Sequence, residues 1–457
     1  MRTRWRSLAA STALLALIAA ACGTPGGGTT TTTAAPTQTT AAPGGETTTT
    51  QAPTTGELEP LRIGVLQPLT GAIAASGNDA KDGWELYWQN HPTEIAGRKI
   101  EWRVEDTGGD PDTALQKVDE LVQNFGAEII VGELLANVTL ALADRLADNP
   151  DVLFVVPIGS ADDMTQRRRD EFPNMIRAGG WTSSQTSHVL GDWAYEQGYR
   201  KVATMCTDYA FGHEMCGGFV HVFTYRGGEV DPSQQLWNPL GTQDMSTYVT
   251  QLADMDVDAV FALQVGGSVG DFLTNWHDFG LKDRIPLLGG EVLLDNSNIR
   301  NLPPEVVEGL ISSGHWTEGR DEPTVTEFVE LVDAATGKIP SYYVAATWTA
   351  AQYIQAALEA LDGDTSDKQK MIEAMQGFEL ETPFGISRMD SYGNPIYDIA
   401  IRRVEVRDDG RVWNVPVEIY ENVDQFWPFT PEEYLQQPVY SREFQGNLSV
   451  GEPAAGG

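Results

Sequence analysis

The sequence predicts an α/β protein of two doubly wound lobes, each a parallel sheet with helices on both faces. Three observations lead there. Short apolar strands alternate with segments of helical periodicity. The alternation runs twice in tandem, resuming after Arg177. The stretch that carries it, residues 59–445, is too long for one hydrophobic core.

The first run opens with the apolar strand 61–67, followed by helical spacing over 79–88. Residues 99–105 alternate as a strand. A helix over 110–124 puts Leu115, Val118, Leu121 and Val122 on one face, with Asp110-Pro111 as cap and first turn. Ile129-Ile130-Val131 is a buried strand, 138–147 a helix and 152–156 a strand. The second run places helices at 183–197, 212–226 and 269–279, and strands at 201–206, 257–264 and 285–288. Strands linked by such helices form right-handed crossovers and a parallel sheet. Ligands of such sheets sit beyond the carboxyl ends of the strands, and two sheets in tandem offer a cleft between them.

The ends of the chain read differently. Arg2, Arg4 and Arg6 precede a short apolar run from Leu8 to Ala21, the pattern of a cleaved export signal over 1–21. Ala19-Ala20-Ala21-Cys22 resembles a lipobox, in which Cys22 takes a diacylglycerol and anchors the chain on the extracytoplasmic face of the cell membrane. Cleavage after Ala21 without lipidation is the alternative. Residues 22–58 are nearly all Gly, Thr, Ala and Pro, too poor in apolar surface to offset the entropy of ordering, and read as a tether; 446–457 reads as a tail.

Thirty Lys and Arg against 65 Asp and Glu give a net charge of −35, which excludes nucleic acid as a partner and leaves the lipid anchor as the contact with membrane. No second apolar run is long enough to span a bilayer, and no P-loop motif occurs, so the chain is neither a permease nor a motor ATPase. Besides Cys22 there are only Cys206 and Cys216, a candidate disulfide in an oxidising compartment; two separate buried thiols are the alternative. None of the six histidines has zinc-ligand spacing, and nothing points to a cofactor.

From about Leu61 to Glu405 the sequence resembles the branched-chain amino acid-binding (Leu/Ile/Val-binding) substrate-binding proteins of ABC transporters, a periplasmic binding protein type I fold. Ile63-Gly-Val-Leu-Gln-Pro-Leu-Thr-Gly71, Gly77, Ala96-Gly-Arg-Lys-Ile-Glu101, Glu105-Asp-Thr107 with Asp110-Pro111, Phe211-Gly212, Ala259-Val-Phe-Ala262 and Thr382-Pro-Phe-Gly385 carry the resemblance, in that order. It implies a three-crossing hinge near 177–180, 314–316 and 390–398. Lobe 1 would be 59–178 plus 315–390, with helices at 324–336, 343–361 and 366–376. Lobe 2 would be 179–314 plus 391–445. It also implies a monomer that closes over a small solute and hands it to ABC permease subunits, and no enzymatic activity.

The family's first lobe holds a ligand carboxylate with a serine after its third strand and a hydroxyl residue after its fourth. Ser160 matches the second; Ala136 stands where the first would be, with Asn137 beside it as a possible donor. The second lobe's aromatic ring falls on Phe211 or Tyr209. Ser268 stands at the place of the acid that would meet a ligand ammonium, leaving Asp271 and Glu291 as candidates. Trp181, at the first crossing, either stacks on the ligand or fills the hinge. Two other readings stay open: a sensor's ligand-binding subunit, and a serine hydrolase using Ser268 of Gly266-Gly-Ser-Val-Gly270 with Asp295 and His315.

Overall fold

The computed structural model describes residues 58–446. The leader, Cys22, the tether up to residue 57 and the tail beyond Gly446 lie outside the described residues, as do the expectations placed on them.

Two sheets form. The first has six strands: β1 (Leu61–Gln67), β2 (Glu94–Ile95), β3 (Arg98–Asp106), β4 (Ile129–Gly132), β5 (Leu153–Val155) and β6 (Met175–Ile176), in the order β2-β3-β1-β4-β5-β6. All pairs but β2–β3 are parallel. β1 is central, and its Ile63, Val65 and Leu66 are fully buried. Each such aliphatic side chain contributes roughly 1.5–3 kcal/mol on burial. The strand order reverses at β1, which opens a crevice at its carboxyl end.

The second sheet holds β7 (Val202–Asp208), β8 (Gln235–Pro239), β9 (Ala259–Leu263), β10 (Leu287–Gly289), β11 (Ile311–Gly314), β12 (Leu380–Thr382), β13 (Gly385–Met389), β14 (Pro395–Val406) and β15 (Val412–Val423). β8-β7-β9-β10-β11 is parallel; β14 continues it antiparallel and carries β15 and the β12–β13 hairpin.

The chain leaves the first sheet after β6 and the second after β11. The helices Pro323–Thr336, Tyr342–Ala360 and Lys368–Gln376 then return to the first lobe. Thr347 Oγ1 donates to Ala80 O (2.6 Å), tying Tyr342–Ala360 to the helix Ala74–Asn90, and Lys368 pairs with Glu128 (3.3 Å). Residues 380–389, which the sequence reading put in the first lobe, pair through β13 with β14 of the second sheet. Their strands are three and five residues long, too short for a periodic signal. The hairpin still touches the first lobe, where the Tyr353 hydroxyl lies 2.9 Å from Ser387 Oγ. Among the described residues no helix is long and apolar enough to cross a membrane.

Candidate functional site

Six strand ends converge on one narrow cavity between the lobes. Ile73 and Ser76 come from the segment after β1, Leu134, Leu135 and Ala136 from after β4, and Ser160 from after β5. The second lobe supplies Tyr209 and Phe211 after β7, Val265 and Gly266 after β9 and Val292 after β10. Tyr342 and Tyr343, at the start of the helix Tyr342–Ala360, complete the wall. No side chain that lines this cavity carries a formal charge.

The aromatic wall is continuous. Tyr209 and Phe211 have ring centroids 6.0 Å apart, and Tyr342 and Tyr343 4.0 Å. Burial pushes the hydroxyls of Tyr209 and Tyr342 well above their ordinary pKa, so both stay neutral donors. Cys206 and Cys216 are joined in a disulfide, with Cα atoms 6.5 Å apart, enclosing the loop that carries Tyr209 and Phe211. Gly212 lets that loop turn tightly into its helix, since a Cβ there would lie 1.8 Å from Thr207 O.

On the opposite wall, Ala136 begins the helix Ala136–Ala147, whose amino end lacks a side-chain cap. Unpaired amides at a helix start favour an anion. Behind them Glu133 is fully buried; Thr107 Oγ1 (2.7 Å) and the Leu135 amide (2.6 Å) donate to its carboxyl, bracing the turn. Burial pushes the Glu133 carboxyl up to about 7. Ser160 Oγ lies 3.0 Å from Ser183 Oγ.

The lobes touch across the mouth. Ser76 Oγ of the first lobe is 3.2 Å from Ser297 Oγ of the second. Arg300 of the second lobe donates to both oxygens of Asp79 of the first (2.7 and 2.8 Å), where Lys338 and Ser341 also bind. Gly266 has φ +60°, and a Cβ on it would sit 2.8 Å from Ala72 O and 3.0 Å from Ile73 Cγ2.

Of the residues singled out from sequence, Ser160, Tyr209, Phe211 and the departing Ala136 line the cavity. Asn137, Trp181, Ser268 and Glu291 do not. Asn137 is half-buried beside Ala136. Trp181 stands behind the wall, its ring 5.9 Å from Phe211, 6.0 Å from Tyr342 and 5.1 Å from His315. Ser268 Oγ donates to Val265 O (2.9 Å) and so closes its own turn. Asp271 accepts from the Met245 amide (2.6 Å). Glu291 turns from the cleft into the hinge, 2.7 Å from His315 Nδ1 and 3.8 Å from Arg402 Nη1.

These placements also dismantle the triad. His315 pairs with Glu291, while Asp295 accepts from Ser297 and the Tyr342 amide (3.0 Å). Among the described residues no group of three His, Cys, Asp or Glu could hold a metal ion. Sequence reasoning missed Ser76, Tyr342 and Tyr343, because they come from helix starts distant in the chain whose spacing reads as ordinary packing.

Residues 60–411 match the family model described as Periplasmic binding protein. The Leu/Ile/Val-binding protein homolog 6 of Brucella abortus (strain 2308) is 26% identical over 367 residues, 79% of this chain and 92% of that protein. An ABC transporter substrate-binding protein from Sphaerobacter thermophilus is 30% identical, with a TM-score of 0.73, over 80% of this chain and 99% of its own. A solute binding protein of an ABC transporter from Rhodopseudomonas palustris BisB5, solved in complex with 3,4-dihydroxy benzoic acid, is 26% identical, with a TM-score of 0.75, over 80% of this chain and 98% of its own. With two parallel-dominated sheets, a cavity at their strand ends and a match over 60–411, the chain belongs to the periplasmic binding protein family.

Proposed function

We propose that this chain is an extracytoplasmic solute-binding lipoprotein that captures a small carboxylate with a flat or branched apolar body. It presents the closed complex to the permease of an ABC importer, and a lipid on Cys22 keeps it at the membrane.

The observation that carries the ligand class is the cavity lining. Four aromatic rings and several aliphatic side chains face hydroxyls and a helix start, and no carboxylate stands where an α-ammonium would need one. A buried ammonium without a partner acid is costly, whereas an anion finds Ser160 and the amides at Ala136. The leader and Cys22 support export and anchoring. The palustris protein of the same fold holds a dihydroxybenzoic acid, which supports an aromatic acid as one member of the class. A ligand touched by both lobes adds its contacts to those across the mouth, so binding shifts the population toward the shut form.

Thermal unfolding with added benzoate and para-hydroxybenzoate tests the reading. Tm is expected to rise with ligand concentration, as mass action requires, and the rise should shrink in Ser160→Ala. The reading falls if no aryl or branched carboxylate shifts Tm.

A further inference from the structure

Behind Ser160 runs a buried chain of polar groups to which no cation is hydrogen-bonded among the described residues. Ser160 Oγ lies 3.0 Å from Ser183 Oγ, which lies 2.6 Å from Glu214 Oε2. The Asp162 amide donates to Glu214 Oε1 (3.1 Å). Glu214 sits on the helix Ala210–Tyr225 of the second lobe, three residues past Phe211, while Ser160 and Asp162 belong to the first-lobe segment after β5. All four residues are buried.

A serine hydroxyl has one proton, which fixes the possible directions of this chain. If Glu214 is ionised, its Oε2 takes the Ser183 proton. Ser183 Oγ is then only an acceptor, and the 3.0 Å contact requires the Ser160 proton to turn away from the cavity. Ser160 then shows lone pairs to the ligand. If Glu214 is neutral, Oε1 accepts from the Asp162 amide and Oε2 carries the proton to Ser183. Ser183 donates onward to Ser160 Oγ, or to Ser160 O at 2.9 Å, and the Ser160 proton is free to enter the cavity. Only the second arrangement suits an anion.

We propose that Glu214 is a specificity-determining residue of the cleft: kept as a neutral acid, it turns the Ser183–Ser160 chain so that Ser160 donates to a carboxylate ligand. It acts without touching the ligand, as a positioning residue, and the proposal rests on the carboxylate reading of the cleft.

The surroundings fit. Asp162 and, more weakly, Asp163 act on Glu214, and Arg177 is the guanidinium in the group, attracted also by Asp390. Arg177 donates to Ala161 O (2.7 Å) and Trp181 O and bonds neither carboxyl. Tyr209 beside Glu214, Tyr434 and Tyr440 beside Asp162, and Tyr397 beside Arg177 are all kept neutral by burial. Arg177 is one guanidinium drawn by three acids, Asp162, Glu214 and Asp390, and it can balance only one of their charges. Burial raises the Asp162 carboxyl too, to about 6, but Ser184 N donates to it (3.2 Å) and Arg177 attracts it, which favours Asp162 as the first of the pair to ionise. Burial first, and Asp162 second, hold the Glu214 carboxyl well above its ordinary range.

Calorimetric titration of the purified chain with benzoate, across pH, tests this in wild type, Glu214→Gln and Glu214→Ala. Glutamine keeps both roles, with Oε1 accepting from Asp162 and Nε2 donating to Ser183. Wild-type affinity should be full at low pH and fall about tenfold or more as pH rises past the raised Glu214 value, since a charge-assisted bond is lost. Glu214→Gln should bind as wild type does at low pH and lose that fall. Glu214→Ala should be weaker throughout, and a chemical-denaturation curve for each variant shows whether it is folded. A flat wild-type profile overturns the proposal, as does a Glu214→Gln protein that keeps the fall or binds poorly while folded. If benzoate and branched carboxylates fail to bind wild type at every pH, the carboxylate reading itself falls and this proposal with it.

Discussion

Glu214 and Glu291 are both fully buried acids of the second lobe, yet their surroundings are opposite. Glu291 sits in a knot of compensating groups. His315 Nδ1 is 2.7 Å away and the Trp316 amide donates at 3.3 Å. Arg402 lies 3.8 Å off and donates to Glu291 O (2.8 Å), Trp316 O (2.6 Å) and Ser312 Oγ (3.0 Å). Glu214 has a serine, an amide and a second acid. A buried acid beside a guanidinium stabilises a hinge. One without a bonded cation is held neutral and can be put to use.

Breaking the Glu291 knot should give the largest effect. Arg402→Met leaves Glu291 without its cation, and stability should drop by about 3–5 kcal/mol in urea unfolding. A drop under about 1 kcal/mol would show that the knot is not structural. Glu214→Gln should behave the other way. Because the folded Glu214 pKa is raised, ionisation costs stability as pH rises from the ordinary carboxylate range toward that value. The glutamine variant should therefore match wild type at low pH and exceed it at higher pH.

The mouth sharpens the comparison, because there the charges bridge the lobes. Gly266→Val would drive a Cβ into Ala72 O and force a β-branched residue to φ +60°. Ligand affinity should fall more than about tenfold, with a wider scattering envelope as the lobes part. Unchanged affinity would mean that closure does not bring Gly266 to Ala72. Asp79→Asn loosens the Arg300 bridge but keeps a polar partner for Lys338 and Ser341. Ligand dissociation should quicken several-fold with the association rate nearly unchanged. Ser268→Ala is the smallest change: ligand binding should stay within experimental error of wild type, and a large loss would return Ser268 to the site.

Much of this was legible in the chain. Buried strands such as 129–131 and 152–156 have few alternatives once helices flank them, and Ser160, Tyr209 and Phe211 follow strands whose ends must meet the cleft. Strand length limited the rest. β6 is two residues long and β12 three, and neither gives a period to read. Tyr342 and Tyr343 reach the cavity only through the packing of a helix some 270 residues after Ile73 in the chain. Glu291 was misplaced because the carboxyl end of β10 points to the cleft while this side chain turns to Arg402, itself on β14. Glu214 is one more helical residue in the sequence; its meaning comes from Ser183 and Asp162, brought there by two other segments.

As proposed, the cleft binds a carboxylate and offers nothing to an α-ammonium. The most direct measurement is a matched pair, titrating the purified chain with leucine and with its deaminated branched-chain acid in parallel with benzoate. A carboxylate lacking the ammonium should bind at least about tenfold tighter than leucine, the scale of one unpaired buried polar group. Leucine binding tighter than its deaminated analogue and benzoate would contradict it.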